Sequence, residues 1–147
     1  MIERFEQFTG AISAIYRYIQ KLEREEMSKY GLKGAFAQYL LAMDAREVTA
    51  AELCELCEKD KAAVSRVVTE MEEKGLVIRR GSSYRAVLQL TEAGQQAAAF
   101  VRRRAVAAVE LAGGGLEEGQ RKALYEALEH VAGRLQEICR SGLPEEP

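Results

Sequence analysis

The sequence lacks several features that whole classes of enzyme require. It has no tryptophan and one histidine, His130, so a histidine-based metal site or a catalytic triad is hard to build. A glycine-rich phosphate loop, a metal-binding cluster and a nucleophile paired with a base are missing as well. We therefore expect a protein that is not an enzyme, with no catalytic residues, no metal and no cofactor. We interpret His130 as a surface or interface residue.

Cysteine is scarce, and long apolar runs are absent. Three cysteines, Cys54, Cys57 and Cys139, stand in a chain that is 48% hydrophobic, which argues against a secreted disulfide scaffold. No stretch of about 18 apolar residues could span a membrane, and Met1-Ile2-Glu3-Arg4 leads into an amphipathic pattern rather than a signal peptide. We expect a cytoplasmic protein with one compact core.

A strong excess of positive charge is also lacking, since the net charge is −2. Residues 59–85 nevertheless carry seven lysines and arginines against four acidic residues, a local charge of +3, which leaves −5 for the rest of the chain. A basic patch on an acidic body is typical of a DNA-binding protein that does not bind every anionic surface.

Apolar residues spaced by three and four predict helices at both ends of the chain. One helix is expected over residues 2–28 and another over about 116–140, after the break at Gly113-Gly114-Gly115. The last helix carries a seam of the coiled-coil type, formed by Leu124, Leu128, Val131, Leu135 and Ile138. Such helices have more apolar surface than one small lobe can cover, so residues 1–34 and 113–147 are expected to form a homodimer. A monomer core built from the same residues is the alternative.

The middle of the chain predicts a helix pair followed by a β-hairpin. A helix over 35–44 and the short link Arg46-Glu47-Val48 come first. Thr49 and Glu52 form a capping box for a third helix, and Asp60 caps a fourth that ends at Gly75. Residues 76–80 and 84–90 are expected to be extended around the turn at 81–83, and Thr91 to cap an Ala-rich helix that reaches about Ala112. This order is that of a winged helix-turn-helix, a mainly α fold with a small β-hairpin wing. We expect residues 35–112 to form the DNA-binding lobe and the whole chain to be one intertwined domain.

The helix from Lys61 predicts the residues that would read DNA. Val64, Val68 and Met71 share one face and are expected to pack on Leu53 and Leu56, which form the inner face of the preceding helix together with Cys57. The opposite face is expected to enter the major groove, where small residues permit close approach and long polar ones bond base edges or phosphates; it carries Lys61, Ala62, Ser65, Arg66 and Thr69. The helix N-terminus favours a phosphate. The hairpin adds Arg79, Arg80 and Arg85 for backbone or minor-groove contact. The alternative for the helix residues is that they form only a solvated face. The alternative for the three arginines is that they protect an edge strand against aggregation.

Four segments of the sequence resemble the MarR family of winged helix-turn-helix transcriptional regulators: Thr49-Ala-Ala-Glu-Leu-Cys-Glu-Leu-Cys57, Asp60-Lys-Ala-Ala-Val-Ser-Arg-Val-Val68, Met71-Glu-Glu-Lys-Gly-Leu-Val77 and Leu90-Thr-Glu-Ala-Gly94. The resemblance implies a homodimer with interlocked first and last helices. It also implies binding to pseudo-palindromic operators on double-stranded DNA, often as a repressor that a small, often aromatic or anionic, effector releases.

The sequence departs from that family in two places. The family wing is usually longer and has an aspartate before its key arginine, whereas Ser83 and Tyr84 precede Arg85 here. The family usually has a small residue at position 54 and an aliphatic one at 57, where this chain has cysteines. Two interpretations of Cys54 and Cys57 follow, a thiol-based redox sensor and small hydrophobic packing. A cross-link between subunits through Cys139 is a further hypothesis.

Three aromatic residues, Tyr16, Phe36 and Tyr39, offer two interpretations as well. They could line an effector cleft, or they could be ordinary core residues. Packing is the interpretation that we favour, and the sequence leaves the effector-binding residues unknown.

Overall fold

The computed structural model describes residues 1–81 and 85–147. Its helices are α1 (Ile2–Tyr30), α2 (Phe36–Ala45), α3 (Ala50–Leu56), α4 (Lys61–Glu73), α5 (Glu92–Ala112) and α6 (Glu118–Ser141), and its strands are β1 (Val48–Thr49), β2 (Val77–Arg80) and β3 (Val87–Leu90). The mainly helical fold with a small hairpin is therefore confirmed. The predicted turn at Ser82 and Ser83, and the predicted start of the second extended segment at Tyr84, lie outside the described residues. The chain divides into two compact units, Met1–Val109 and Glu110–Pro147.

The sheet has three strands, in the order β1-β3-β2, with antiparallel pairs. The sequence predicts only the hairpin, because Val48 falls in what was expected to be a link between helices. In the structure Val48 pairs with Leu88 and Thr49 with Val87. Two residues are too few to show the alternation that identifies a strand, so only the partner strand reveals this one. Strand β3 is thereby the centre of the sheet.

One hydrophobic core holds the first unit together. It is made by the C-terminal end of α1, by α2, α3 and α4, by the sheet and by the first half of α5, and its largest fully buried side chains are Tyr39, Phe36, Met27, Leu40, Leu53, Met71, Leu88, Val48, Val64, Val68 and Val101. Phe36 and Tyr39 are 1% and 2% exposed, which agrees with the packing interpretation. Tyr16, by contrast, is exposed.

The inner face of α3 differs from the prediction. Leu53 is fully buried, but Leu56, expected beside it under α4, is 49% exposed. Helix α3 ends at Leu56, and the next residue, Cys57, turns inward at the C-cap and is only 8% exposed. Of the three residues expected on the inner face, Leu53 and Cys57 are therefore buried as predicted, and Leu56 is not.

The start of α5 is fixed against the end of α4 by a compact set of contacts. The Thr91 side chain accepts a hydrogen bond from the Gly94 N–H at 3.2 Å, as the predicted cap requires, and its hydroxyl donates to the Gly75 carbonyl at 2.6 Å. The Thr91 N–H donates to the Leu76 carbonyl at 3.0 Å. A Cβ on Gly94 would lie 2.2 Å from that carbonyl oxygen. Only glycine permits this approach, which orients the hairpin relative to α5.

The helices at the two ends of the chain bury little within their own units. The buried residues of α1 are Glu26 and Met27, near its C-terminal end, and α6 has none. Large apolar side chains are exposed along both helices; they include Ile2, Phe5, Phe8, Ile15, Tyr16 and Tyr18 on α1, and Leu124, Tyr125 and Leu135 on α6. Within residues 1–81 and 85–147, no helix is both long enough and apolar enough to cross a membrane.

Candidate nucleic-acid interface

Helix α4 is bounded at both ends by local interactions that its sequence specifies. Asp60 is the N-cap, and its Oδ1 accepts a hydrogen bond from the Ala63 N–H at 2.7 Å. At the other end Gly75 has φ +72, the left-handed conformation expected of a helix stop. The turn between α3 and α4 also contains a left-handed residue, Glu58, with φ +51. A residue with a Cβ is strained there, and no signal in the sequence marks it.

The two faces of α4 separate as the periodicity predicts. Val64, Val68 and Met71 are buried in the core. The five residues of α4 that are predicted to contact DNA are all exposed on its outer side: Lys61, Ala62, Ser65, Arg66 and Thr69. The Thr69 hydroxyl donates to the Ser65 carbonyl at 2.9 Å, which leaves its oxygen lone pairs as acceptors. The long cationic side chain of Arg66 thus shares this face with the small side chains of Ala62, Ser65 and Thr69.

Acidic side chains lie next to this surface at the start of α4. The Asp60 carboxylate accepts a hydrogen bond from the Ala63 N–H, so this N–H is no longer available to bind an anion. Glu55 and Glu58, in the preceding helix and turn, are exposed nearby in the chain. The sequence-based expectation that this N-terminus favours a phosphate therefore omits the capping carboxylate, whose charge opposes a phosphate at the same place.

The three wing arginines have different surroundings. Arg80 is exposed, and among the described residues no ion pair or hydrogen bond engages its guanidinium. Arg85 is exposed too and does take part in an interaction. Arg79 is half-buried, and its Nε and Nη2 donate to Oε1 of Glu72, on α4, at 3.1 and 2.7 Å. The structure therefore presents Arg80 and Arg85 outward and directs Arg79 towards α4.

A second ion pair joins α4 to another part of the first unit. Lys33 Nζ, in the connection between α1 and α2, lies 2.5 Å from Oε2 of Glu70. Glu70 and Glu72 are two residues apart and so project from opposite flanks of the helix, with the row of Arg66 and Thr69 between them. The last turns of α4 are consequently held on both sides.

Cys54 in α3 and Cys57 at its C-cap lie where side chains pack against the core. Burial, together with the neighbouring Cys54, raises the pKa of the Cys57 thiol to about 11. Since the thiolate is the reactive form, Cys57 is almost entirely an inert thiol near neutral pH. Cys54 is half-buried, and Cys139 is exposed on α6. In the parts of the chain that the structure describes, no group of three or more His, Cys, Asp or Glu side chains could hold a metal ion.

One family model and several solved structures are similar to this chain. The model described as MarR family matches residues 30–84. A putative MarR-family transcriptional regulator from Listeria monocytogenes, solved in complex with 26mer DNA, superimposes with a TM-score of 0.72 at 20% identity over 95% of this chain and 97% of that one. A MarR transcriptional regulator from Methanosarcina mazei Go1 gives 0.77 at 22% identity, over 90% and 92%.

The transcriptional regulator BldR from Sulfolobus solfataricus is similar to the same extent, with a TM-score of 0.70 at 23% identity over 91% of this chain and 98% of that one. No curated protein sequence matches the chain significantly. At identities this low, the likeness to the solved structures establishes the fold, which extends over nearly the whole chain and includes both terminal helices.

Proposed function

We propose that the protein is a transcriptional regulator of the MarR type, which the match of that family's model to residues 30–84 supports. It binds a pseudo-palindromic operator as a homodimer and represses transcription until a small molecule releases it. The observation that carries the proposal is the outer face of α4. It exposes small and basic side chains together while its opposite face is anchored in the core.

The chemistry of that face suits the major groove of DNA. A helix fits the groove, and an arginine such as Arg66 can bond the O6 and N7 atoms of a guanine with two donors. Ala62 lets the backbone approach the bases closely, and the hydroxyls of Ser65 and Thr69 can bond a base edge or a phosphate. Lys61, at the first turn, and the exposed wing arginines, Arg80 and Arg85, are assigned to the sugar-phosphate backbone.

The exposed apolar residues of α1 and α6 support the homodimer. Phe5 is 66% exposed and Leu135 is 51% exposed, values that are costly for a whole row of large side chains on an isolated chain. A second copy that covers these rows would give a two-fold symmetric pair of α4 helices. Such a pair reads two half-sites about 34 Å apart, one turn of the duplex.

We further propose that an effector acts by changing the distance between the two α4 helices of the dimer. A small molecule that binds better to a dimer with a different spacing of its α4 helices lowers operator affinity by its differential affinity for the two states. Aromatic and anionic compounds are the class to screen, by adding each one to a preformed complex with fluorescent operator DNA.

The proposed function is tested by titrating the protein into a fluorescent duplex taken from upstream of its own gene, beside a random duplex of equal length, at several salt concentrations. We expect the upstream duplex to bind about a thousandfold more tightly or better, with an affinity that falls steeply as salt rises. Arg66→Ala should lower the specific affinity by roughly tenfold to a hundredfold. Equal, weak binding of both duplexes, unchanged in Arg66→Ala, would contradict the proposal.

A further inference from the structure

The contact between Arg79 and Glu72 joins the two parts of the candidate interface. Glu72 lies in the last turn of α4, two turns beyond Ser65 and on the same side of the helix. Arg79 lies in β2, the first strand of the hairpin, where it pairs with Leu88 of the central strand. The side chains of Arg79 and Glu72 are 27% and 33% exposed, so water screens this pair less than it screens a fully exposed one.

The alternation of β2 separates Arg79 from its neighbours. Val77 is buried, Ile78 exposed, Arg79 half-buried and Arg80 exposed. Because successive side chains of a strand point to opposite faces, Arg79 shares the inner face of the sheet with Val77, and Arg80 shares the outer face with Ile78. The side chains of Arg79 and Arg80 therefore lie on opposite faces of the sheet.

We propose that Arg79 is a positioning residue, which fixes the hairpin relative to α4 through Glu72 and does not itself bind DNA. This role rests on the proposed function, since what it positions is Arg80 against the α4 face that carries Ser65 and Arg66. Both donors of Arg79 meet one carboxylate oxygen, a charge-assisted arrangement that restricts the angle between helix and strand. The correct angle matters only for a duplex that α4 and the wing bind at once.

The two roles of Arg79 predict different DNA-binding behaviour. A phosphate contact contributes equally to every sequence and adds about one to the slope of log affinity against log salt. A positioning residue contributes to the specific complex and leaves the slope unchanged. Glu72 separates the roles further, because its loss removes an acidic group from the DNA-binding side and would strengthen phosphate-driven binding.

The test compares Arg79→Gln, Glu72→Gln, the double variant and the exchanged pair Arg79→Glu with Glu72→Arg, on the upstream duplex and on the random one. We expect each single variant to lose about tenfold in specific affinity at an unchanged salt slope. The double variant should be no weaker than either single variant, and the exchanged pair should recover part of the loss. Arg80→Gln is the matched control, and its slope should fall by about one.

The outcome that overturns the positioning role is a fall of about one in the slope for Arg79→Gln, equal on both duplexes, together with tighter binding by Glu72→Gln. If the wild-type protein shows no specific binding, the proposed function is refuted but the positioning role is not. Amide hydrogen exchange measured without DNA then tests the positioning role. Faster exchange in Arg79→Gln confined to the amides of β2 and β3 supports the positioning role. Unchanged exchange, or a uniform increase that includes α2, contradicts it.

Discussion

Apolar residues are buried to different extents in two regions of the molecule. The first region is the lobe from α2 to the first half of α5, and the second is the pair of helices at the chain ends. In the lobe, Phe36, Leu53, Val68 and Leu88 are each no more than 1% exposed. Helix α6 has no buried residue, although its apolar residues recur at regular steps of three and four. The lobe is thus complete within one chain, whereas the apolar rows of the terminal helices lack cover in the unit to which each belongs.

The two regions should therefore tolerate different kinds of substitution. A side chain altered in the lobe core changes the free energy of unfolding of the single chain. A side chain altered on an exposed row costs a single chain at most about 0.5 kcal/mol, so its effect should be seen only in assembly and in whatever depends on assembly. The following substitutions test this separation.

Gly94→Ala should have the largest effect, because the added Cβ would lie 2.2 Å from the Leu76 carbonyl oxygen. Either α5 shifts and loses its contacts with the end of α4, or the clash persists. We expect a loss of about 3 kcal/mol or more and a fall in Tm of about 10 °C by calorimetry. The control is Gly119→Ala on α6, where nothing lies within 4 Å of the added Cβ. Equal Tm values for the two variants would contradict the packing described for α5.

Leu135→Glu should leave the lobe intact and abolish assembly. Leu135 is 51% exposed within the chain, so the helical signal in circular dichroism should persist. Operator affinity should fall by about a hundredfold or more, because each half-site is then bound alone. Gln136→Glu introduces the same charge at the next position, which is also exposed, and should bind normally. Loss of affinity in both variants would mean that charge, and not the apolar row, is responsible.

Asp60→Asn should strengthen DNA binding without weakening α4. Asparagine caps a helix as well as aspartate does, so the bond to the Ala63 N–H can be kept while the negative charge disappears. We expect affinity for both specific and random duplexes to rise about threefold to tenfold, with Tm unchanged. Weaker binding, measured by fluorescence anisotropy, would show that the carboxylate itself takes part in recognition.

Glu58→Gly should stabilise the lobe modestly, since Glu58 has φ +51 in the turn between α3 and α4. Glycine adopts that conformation without steric cost, which offsets its larger entropy in the unfolded chain. The expected gain is about 0.5–1 kcal/mol in denaturant unfolding. The comparison variant, Lys59→Gly, alters the preceding residue of the turn and should only destabilise. A destabilised Glu58→Gly variant would indicate that the left-handed residue carries no strain.

The smallest effect is expected from oxidation of the lobe cysteines. A pKa of about 11 for Cys57 means about a hundredfold less thiolate than for an ordinary thiol with a pKa of 9.0. Its alkylation, mapped by peptide mass, should be slow at pH 7.5 and accelerate as pH rises, while the exposed Cys139 reacts first. Peroxide should leave DNA affinity unchanged. A loss of affinity that Cys54→Ser prevents would instead favour the redox hypothesis.

Local chemistry made much of the lobe predictable. The caps at Thr49, Asp60 and Thr91 depend on residues within three positions, and the structure has all three. The outer face of α4 follows from the helical period alone. Its DNA-contact role, and that of the wing arginines, stays a prediction.

Contacts between distant segments were not predictable in the same way. Strand β1 depends on pairing with Leu88, 40 residues after Val48. The exposure of Leu56 depends on where α3 ends. The direction of Arg79 depends on the relative placement of β2 and α4, which no local pattern encodes.

The mass of the chain in solution, measured by light scattering at micromolar concentration, tests the contrast between the two regions most directly. We expect twice the chain mass of 16.3 kDa, because in the proposed homodimer a second copy would cover the apolar rows of α1 and α6. A mass of one chain, with the terminal helices still formed, would contradict it.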